Sequence, residues 1–188
     1  MSGLHAEQMM NEVRRGIQDE NDQIRDLSIE VYVQIAKFKN GREFILNNGI
    51  VLDIAQLFDD KIESIREKAY VSLWYLSDER SGCEGVVEEG AIEILVDKLL
   101  SEKSEKILIL TMSLIKSLLK VTRGPIRSLT TPLISRLKNF LVNPSTQLKK
   151  LAAENLAEMA FSYPGKEKVI EGGCVSPLAN LMEDEDTQ

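Results

Sequence analysis

Few residues in this chain have the type and spacing that chemistry requires. There is one histidine, His5, so neither a His-based metal site nor a catalytic histidine pair can be assembled. The two cysteines, Cys83 and Cys174, stand 91 residues apart, with neither Cys-x-x-Cys nor Cys/His spacing. That pattern fits buried thiols in a reducing compartment, with a redox pair as the alternative. Glu154 and Glu158 are i, i+4 neighbours, but paired carboxylates need metal ligands or a shielded pocket to act as acid and base. The sequence therefore predicts no catalytic residue, no cofactor site and no metal site, and an enzyme is not expected.

What remains is charge. The 188 residues carry 23 basic and 30 acidic side chains, a net −7, but the signs are segregated. Residues 1–90 sum to −8, residues 91–150 to +7 and residues 151–188 to −6. From Lys106 to Lys150 there are nine basic residues and no acid. Lys116 and Lys120 lie one helical turn apart, and Arg123 and Arg127 follow. These four form a candidate basic face for an acidic protein tail, or else an ordinary solvated surface. Nucleic acid is not expected as a partner, because the whole chain repels phosphate and no aromatics interleave with the basic residues. No apolar run approaches the ~18 residues of a membrane helix, and the N-terminus lacks the order of a signal peptide. A cytoplasmic protein with protein partners is the expectation.

The elements that must position these side chains emerge from internal repetition. Ile24, Ile65, Ile107 and Leu148 recur at steps of 41 or 42 residues, and so do Gly41, Gly82, Gly124 and Gly165. Met9, Ile50, Ile92, Leu133 and Cys174 mark the starts of the repeats at the same steps. From each start, apolar residues fall at i, i+4 and i+8: Ile50, Ile54, Phe58; Ile92, Val96, Leu100; Leu133, Leu137, Leu141; Cys174, Leu178, Met182. This is one stripe of an amphipathic helix. A polar break follows, then a longer helix with apolar or small residues, such as Ile65, Ala69, Leu73 and Leu76. Its second place is small throughout (Ser28, Ala69, Thr111, Ala152), which lets helix backbones approach. A short third helix, with Val86-Val87 or Val169-Ile170 as anchors, ends at Gly49, Gly90 or Gly173, suited to a left-handed stop. The third unit departs from this pattern, with Pro125 in its short helix and Thr131-Pro132 at its end, so irregularity is expected over 122–133.

Three helices per ~41 residues with closing glycines resemble the armadillo repeat family over nearly the whole chain. The expected fold is all-α, a right-handed α-solenoid of armadillo-type three-helix repeats, in preference to a compact helical bundle. Its units span about 7–48, 49–90, 91–131 and 132–173, with a partial unit at 174–182 and an acidic tail at 183–188. One unit cannot bury its own apolar stripe, whereas stacked units can.

The resemblance implies partner binding along a concave ladder of the long helices. Two columns fall there: Glu30, Val71, Ser113, Glu154 and Gln34, Tyr75, Ser117, Glu158. The family's nuclear-import receptors carry Trp and Asn columns at these places to clamp an extended basic peptide. This chain has neither, since Trp74 lies outside both columns, so the clamp does not transfer. Tyr75 and Trp74 are candidate anchors, or else core between units; the three glutamates would receive basic side chains, or else form a solvated face. Arg66-Glu67-Lys68 through Gly82, Gly85-Val86-Val87 and Gly90-Ala91-Ile92 resembles the radial spoke head 14 homologues of ciliary axonemes, as do Ile107 to Leu119 and Pro132 to Lys168. That resemblance implies a structural adaptor in a cilium or flagellum axoneme. The alternative is an armadillo-type nucleotide-exchange regulator of an Hsp70 chaperone. Self-association through the solenoid ends is left open by the sequence.

Overall fold

A computed structural model describes residues 3–183, and among them helix is the only regular structure. The chain divides into two compact units, residues 1–82 and 83–188, each taken by itself below.

The first unit contains α1 (Gly3–Ile17), α2 (Asp22–Ala36), α3 (Lys39–Asn47), α4 (Val51–Gln56) with a 3-10 turn at Leu57–Asp59, and α5 (Glu63–Leu76); α6 (Arg80–Glu88) runs across the division. The second holds α7 (Ala91–Ser101), α8 (Glu105–Leu119), α9 (Arg123–Ser128), α10 (Leu133–Phe140), α11 (Thr146–Ala160), α12 (Tyr163–Glu171) and α13 (Val175–Glu183). The long helices α2, α5, α8 and α11 carry the predicted second pattern. Polar breaks start them as expected. The Asn21 side chain accepts from the Gln23 N–H, and Ser145 Oγ accepts from the Leu148 N–H.

The long helices pair within each unit, α2 with α5 and α8 with α11. Ile65, Ala69, Leu73 and Leu76 are all buried, as are Ile107, Thr111, Ile115 and Leu118, and Leu148, Ala152, Leu156 and Met159. The small second place does what its size suggests. A Cβ on Gly16 of α1 would lie 2.0 Å from Ser28 Oγ of α2, so these two helices touch nearly backbone to backbone.

The glycines fall into two classes with different physical reasons. Gly49, Gly90 and Gly173 have φ of 62°, 86° and 66°, the left-handed stop expected after each short helix. The third repeat has no such stop, and its short helix is reduced to the six residues of α9. The other column answers to crowding. A Cβ on Gly41, Gly82, Gly124 or Gly165 would sit 1.7–2.0 Å from the carbonyl oxygen six residues earlier, where the chain folds back over the end of the long helix.

Four predicted core positions are exposed instead. Leu100 is exposed because Leu99 takes the inward place on α7, whereas Phe58 and Leu141 at the corresponding place are buried. Val169 likewise displaces Ile170. Ile24 shares an open face of α2 with Leu27 and Val31, and Met182 stands at the mouth of a cleft beside α11. The side chains of His5 and Met9, and the acidic tail beyond Glu183, lie outside the described residues.

Candidate functional site

In the first unit, Glu30 and Gln34 sit one turn apart on α2, and Val71 and Tyr75 one turn apart on α5. Gln34 is exposed and the other three are half-buried. Glu30 is not a free carboxylate: Gln34 Nε2 donates to it at 2.5 Å and Lys68 Nζ of α5 lies at 3.2 Å. These hydrogen bonds, that from Gln34 first, hold Glu30 below the usual carboxylate range. Lys68 also grips both oxygens of Asp26 at 2.9 Å. Burial alone would lower the Lys68 ammonium, but its bonds to Asp26 and Glu30 outweigh that and raise it.

Trp74 is 46% exposed, so the reading of it as core is corrected. On α5 the core places fall at Leu73 and Leu76, which leaves Trp74 turned outward. Its ring meets Tyr75 edge-on, centroids 5.3 Å apart at 70°, and Lys37 Nζ stands 6.0 Å from the Tyr75 centroid. The result is an outward aromatic pair with a cation at its border.

In the second unit, Ser113 and Ser117 on α8 and Glu154 and Glu158 on α11 are half-exposed. Ser117 Oγ donates to the Ser113 carbonyl at 3.3 Å. Glu154 is bound to Lys116 Nζ at 2.8 Å, so one residue of the candidate basic face neutralises one residue of the ladder. Glu158 has no ion-pair partner among the described residues.

The rest of the basic face is also largely committed. Arg127 pairs with Glu93 at 2.8 Å and donates to the Val87 and Glu88 carbonyls. Arg123 pairs with Glu88 at 3.1 Å. Of the four residues only Lys120 is exposed and unpaired among the described residues. The segregation of charge along the sequence is thus partly cancelled in space, because these bases meet Glu88 and Glu154 of the repeats on either side and Glu93 at the start of their own.

Asn155 escaped the sequence reading. It is fully buried, and its Nδ2 donates to the Leu151 carbonyl at 2.7 Å and to the Met112 carbonyl of α8 at 3.0 Å, while Oδ1 has no partner. It aligns with Val31, Ser72 and Leu114, and a polar residue in that otherwise mixed column was the available signal. Among the described residues no group of three His, Cys, Asp or Glu could hold a metal ion, and no helix is long and apolar enough to cross a membrane. Both cysteines are buried, and burial pushes the Cys174 thiol up.

No protein-family model matches the chain. Its fold is nonetheless similar to solved structures. One is a designed armadillo repeat protein in complex with the peptide (KR)4, at a TM-score of 0.82 and 21% identity, covering 94% of this chain and 75% of that one. A computationally designed armadillo repeat protein for modular peptide recognition matches with the same TM-score, identity and coverage. An engineered protein matches at a TM-score of 0.81 and 15% identity, covering 95% of this chain and 75% of that one. Together with the helix order and the glycine stops, these likenesses make the fold class all-α, built from armadillo-type three-helix repeats.

Proposed function

We propose that the chain is a non-enzymatic protein-interaction scaffold that receives a partner's segment on the outward faces of its long helices. The observation that carries this reading is the exposed Trp74 with the half-buried Tyr75 edge-on beside it. Core packing makes no use of it, and such aromatics supply large contact area at small entropic cost. The border cation Lys37 marks where a partner's Lys or Arg would stack on the rings, with Glu30 nearby on α2. A basic segment is bound by one of the designed armadillo proteins of similar fold, which supports this choice of partner chemistry.

Trp74 is the sole tryptophan, so its emission reports directly on the proposed site. A labelled alternating Lys-Arg octapeptide should bind and shift that emission, while an Asp-Glu octapeptide should not. Trp74→Ala should weaken binding by about 2 kcal/mol or more, read by anisotropy of the labelled peptide. Equal binding of both peptides, or none, would remove the reading. Acceleration of nucleotide release from an Hsp70 nucleotide-binding domain would instead favour the exchange-regulator alternative.

At a finer level, the resemblance of Arg66 through Lys168 to radial spoke head 14 homologues supports a place as an axonemal adaptor. A tagged chain expressed in ciliated cells should then track the axoneme; diffuse cytoplasmic label would count against it.

A further inference from the structure

The repeat step predicts what each face of a long helix meets, and on α11 one such face meets no further long helix among the described residues. In the first unit Ile29, Val33 and Ala36 of α2 are buried, and α5 is the helix most extensively packed on α2. In the second unit the step-related positions on α8 are Met112, Lys116 and Leu119. They face α11, since Asn155 Nδ2 reaches the Met112 carbonyl and Lys116 Nζ reaches Glu154. One step further, the same positions on α11 are Ala153, Ala157 and Ala160, which are half-exposed or exposed. With Leu178, Leu181 and Met182 of α13 they wall a cleft of about 580 Å³ whose lining is almost wholly apolar.

The internal pairs also define the occupant. The α8 and α11 helices run parallel, because Glu105 meets Ser145 at their starts and Lys116 meets Glu154 further along. On α2 the charge at the border of this face is Asp26, which holds Lys68 of α5. The step-related residue on α11 is Lys150, of opposite sign, which lines the cleft, is exposed and has no ion-pair partner among the described residues.

We infer that the α11–α13 cleft is a docking site for an amphipathic helix of a partner protein. The helix lies parallel to α11, with its apolar stripe on Ala153, Ala157 and Ala160 and an acidic residue opposite Lys150. The recognition is helix-in-groove, different in kind and in place from the segment bound at Trp74. It continues outward the helix-on-helix packing that joins α8 to α11.

The test uses the full chain and a labelled 15-residue peptide of the α11 sequence, Thr146–Ala160, carrying Leu151→Glu and held helical by a lactam bridge on its solvent side. Leu151 is the position step-related to Lys68. This peptide should bind, and Ala157→Arg in the chain should weaken binding by at least about tenfold, because an unpaired charge enters an apolar contact. Lys150→Glu should weaken this peptide and favour one with lysine at the same place. Trp74→Ala should leave binding unchanged, which separates this site from the other. Ala157 is exposed, so helicity by circular dichroism should stay at the parent value and exclude misfolding. Absence of binding, indifference to both substitutions, or equal binding of a proline-broken peptide would overturn the inference. So would self-association of the chain that Ala157→Arg abolishes, since the cleft would then belong to a second copy.

Discussion

Replacing Asp60 with alanine is expected to destabilise the first unit by about 3–5 kcal/mol, the scale of breaking a buried ion pair from one side. Arg25 and Asp60 retain only 11% and 4% of their side-chain exposure. The guanidinium meets the carboxylate twice, Nε at 2.5 Å and Nη2 at 3.3 Å. Its Nη1 also donates to the Asp19 and Glu20 carbonyls, which holds the turn into α2. Asp60 in addition accepts from the Ile62 N–H at 2.9 Å, just before α5. Losing the carboxylate thus leaves a charge buried without its partner and a helix entry without its acceptor.

The same group makes the first unit sensitive to acid. Burial by itself would raise the Asp60 carboxyl, but the bonds from Arg25 and Ile62 outweigh it and hold it below its ordinary 3.8. A depressed native value means that the unfolded chain takes up protons first. The contribution of Asp60 is complete above the unfolded value and disappears as pH falls through the native one. Denaturant unfolding followed by Trp74 fluorescence should show the parent losing this stability below about pH 4. Asp60→Ala should already lack it at pH 7. Parallel acid profiles for the two proteins would refute the assignment.

Gly124→Ala is expected to destabilise the second unit by about 3 kcal/mol, the upper part of the range for overpacking. The added methyl would stand 1.9 Å from the Leu118 carbonyl oxygen and 3.0 Å from Leu119 Cα. Both are backbone atoms near the end of α8, so no rotamer change relieves the contact. The chain must instead open between α8 and α9. Amide hydrogen exchange should quicken from Leu118 to Ser128 while α2 and α5 keep their protection. Unchanged exchange there would mean that the turn yields cheaply.

These two cases mark what could be read from sequence. The glycine at Gly124 belonged to a visible column because its cause is steric and local: the chain folds back over its own helix end at the same place in every repeat. The left-handed glycines were legible because their different cause, a positive φ at the end of a short helix, is local too. Arg25–Asp60 was not, because the two residues lie 35 apart and meet only when one repeat stacks on the next. The basic segment shows the same limit. Read along the chain it is an uninterrupted positive stretch, yet Lys116, Arg123 and Arg127 close on acids 34–38 residues away. Trp74 resisted for another reason. Its hydrophobicity left it open between partner anchor and core, and its exposure one place beyond Leu73 on α5 removes the core alternative.

Stacking also leaves a signature in the signs of the charges. Arg14 meets Asp53 on α1 and α4, and Asp97 meets Arg136 on α7 and α10. Both pairs span 39 residues and occupy step-related positions, but the polarity is reversed. If the first repeat were spliced in place of the third, Arg14 would confront Arg136, two cations on adjoining helices. The repeats are therefore not interchangeable modules. Their order is partly written in these charges, so a gene rearrangement that set the first repeat directly before the fourth would yield a chain with two cations facing each other at the seam.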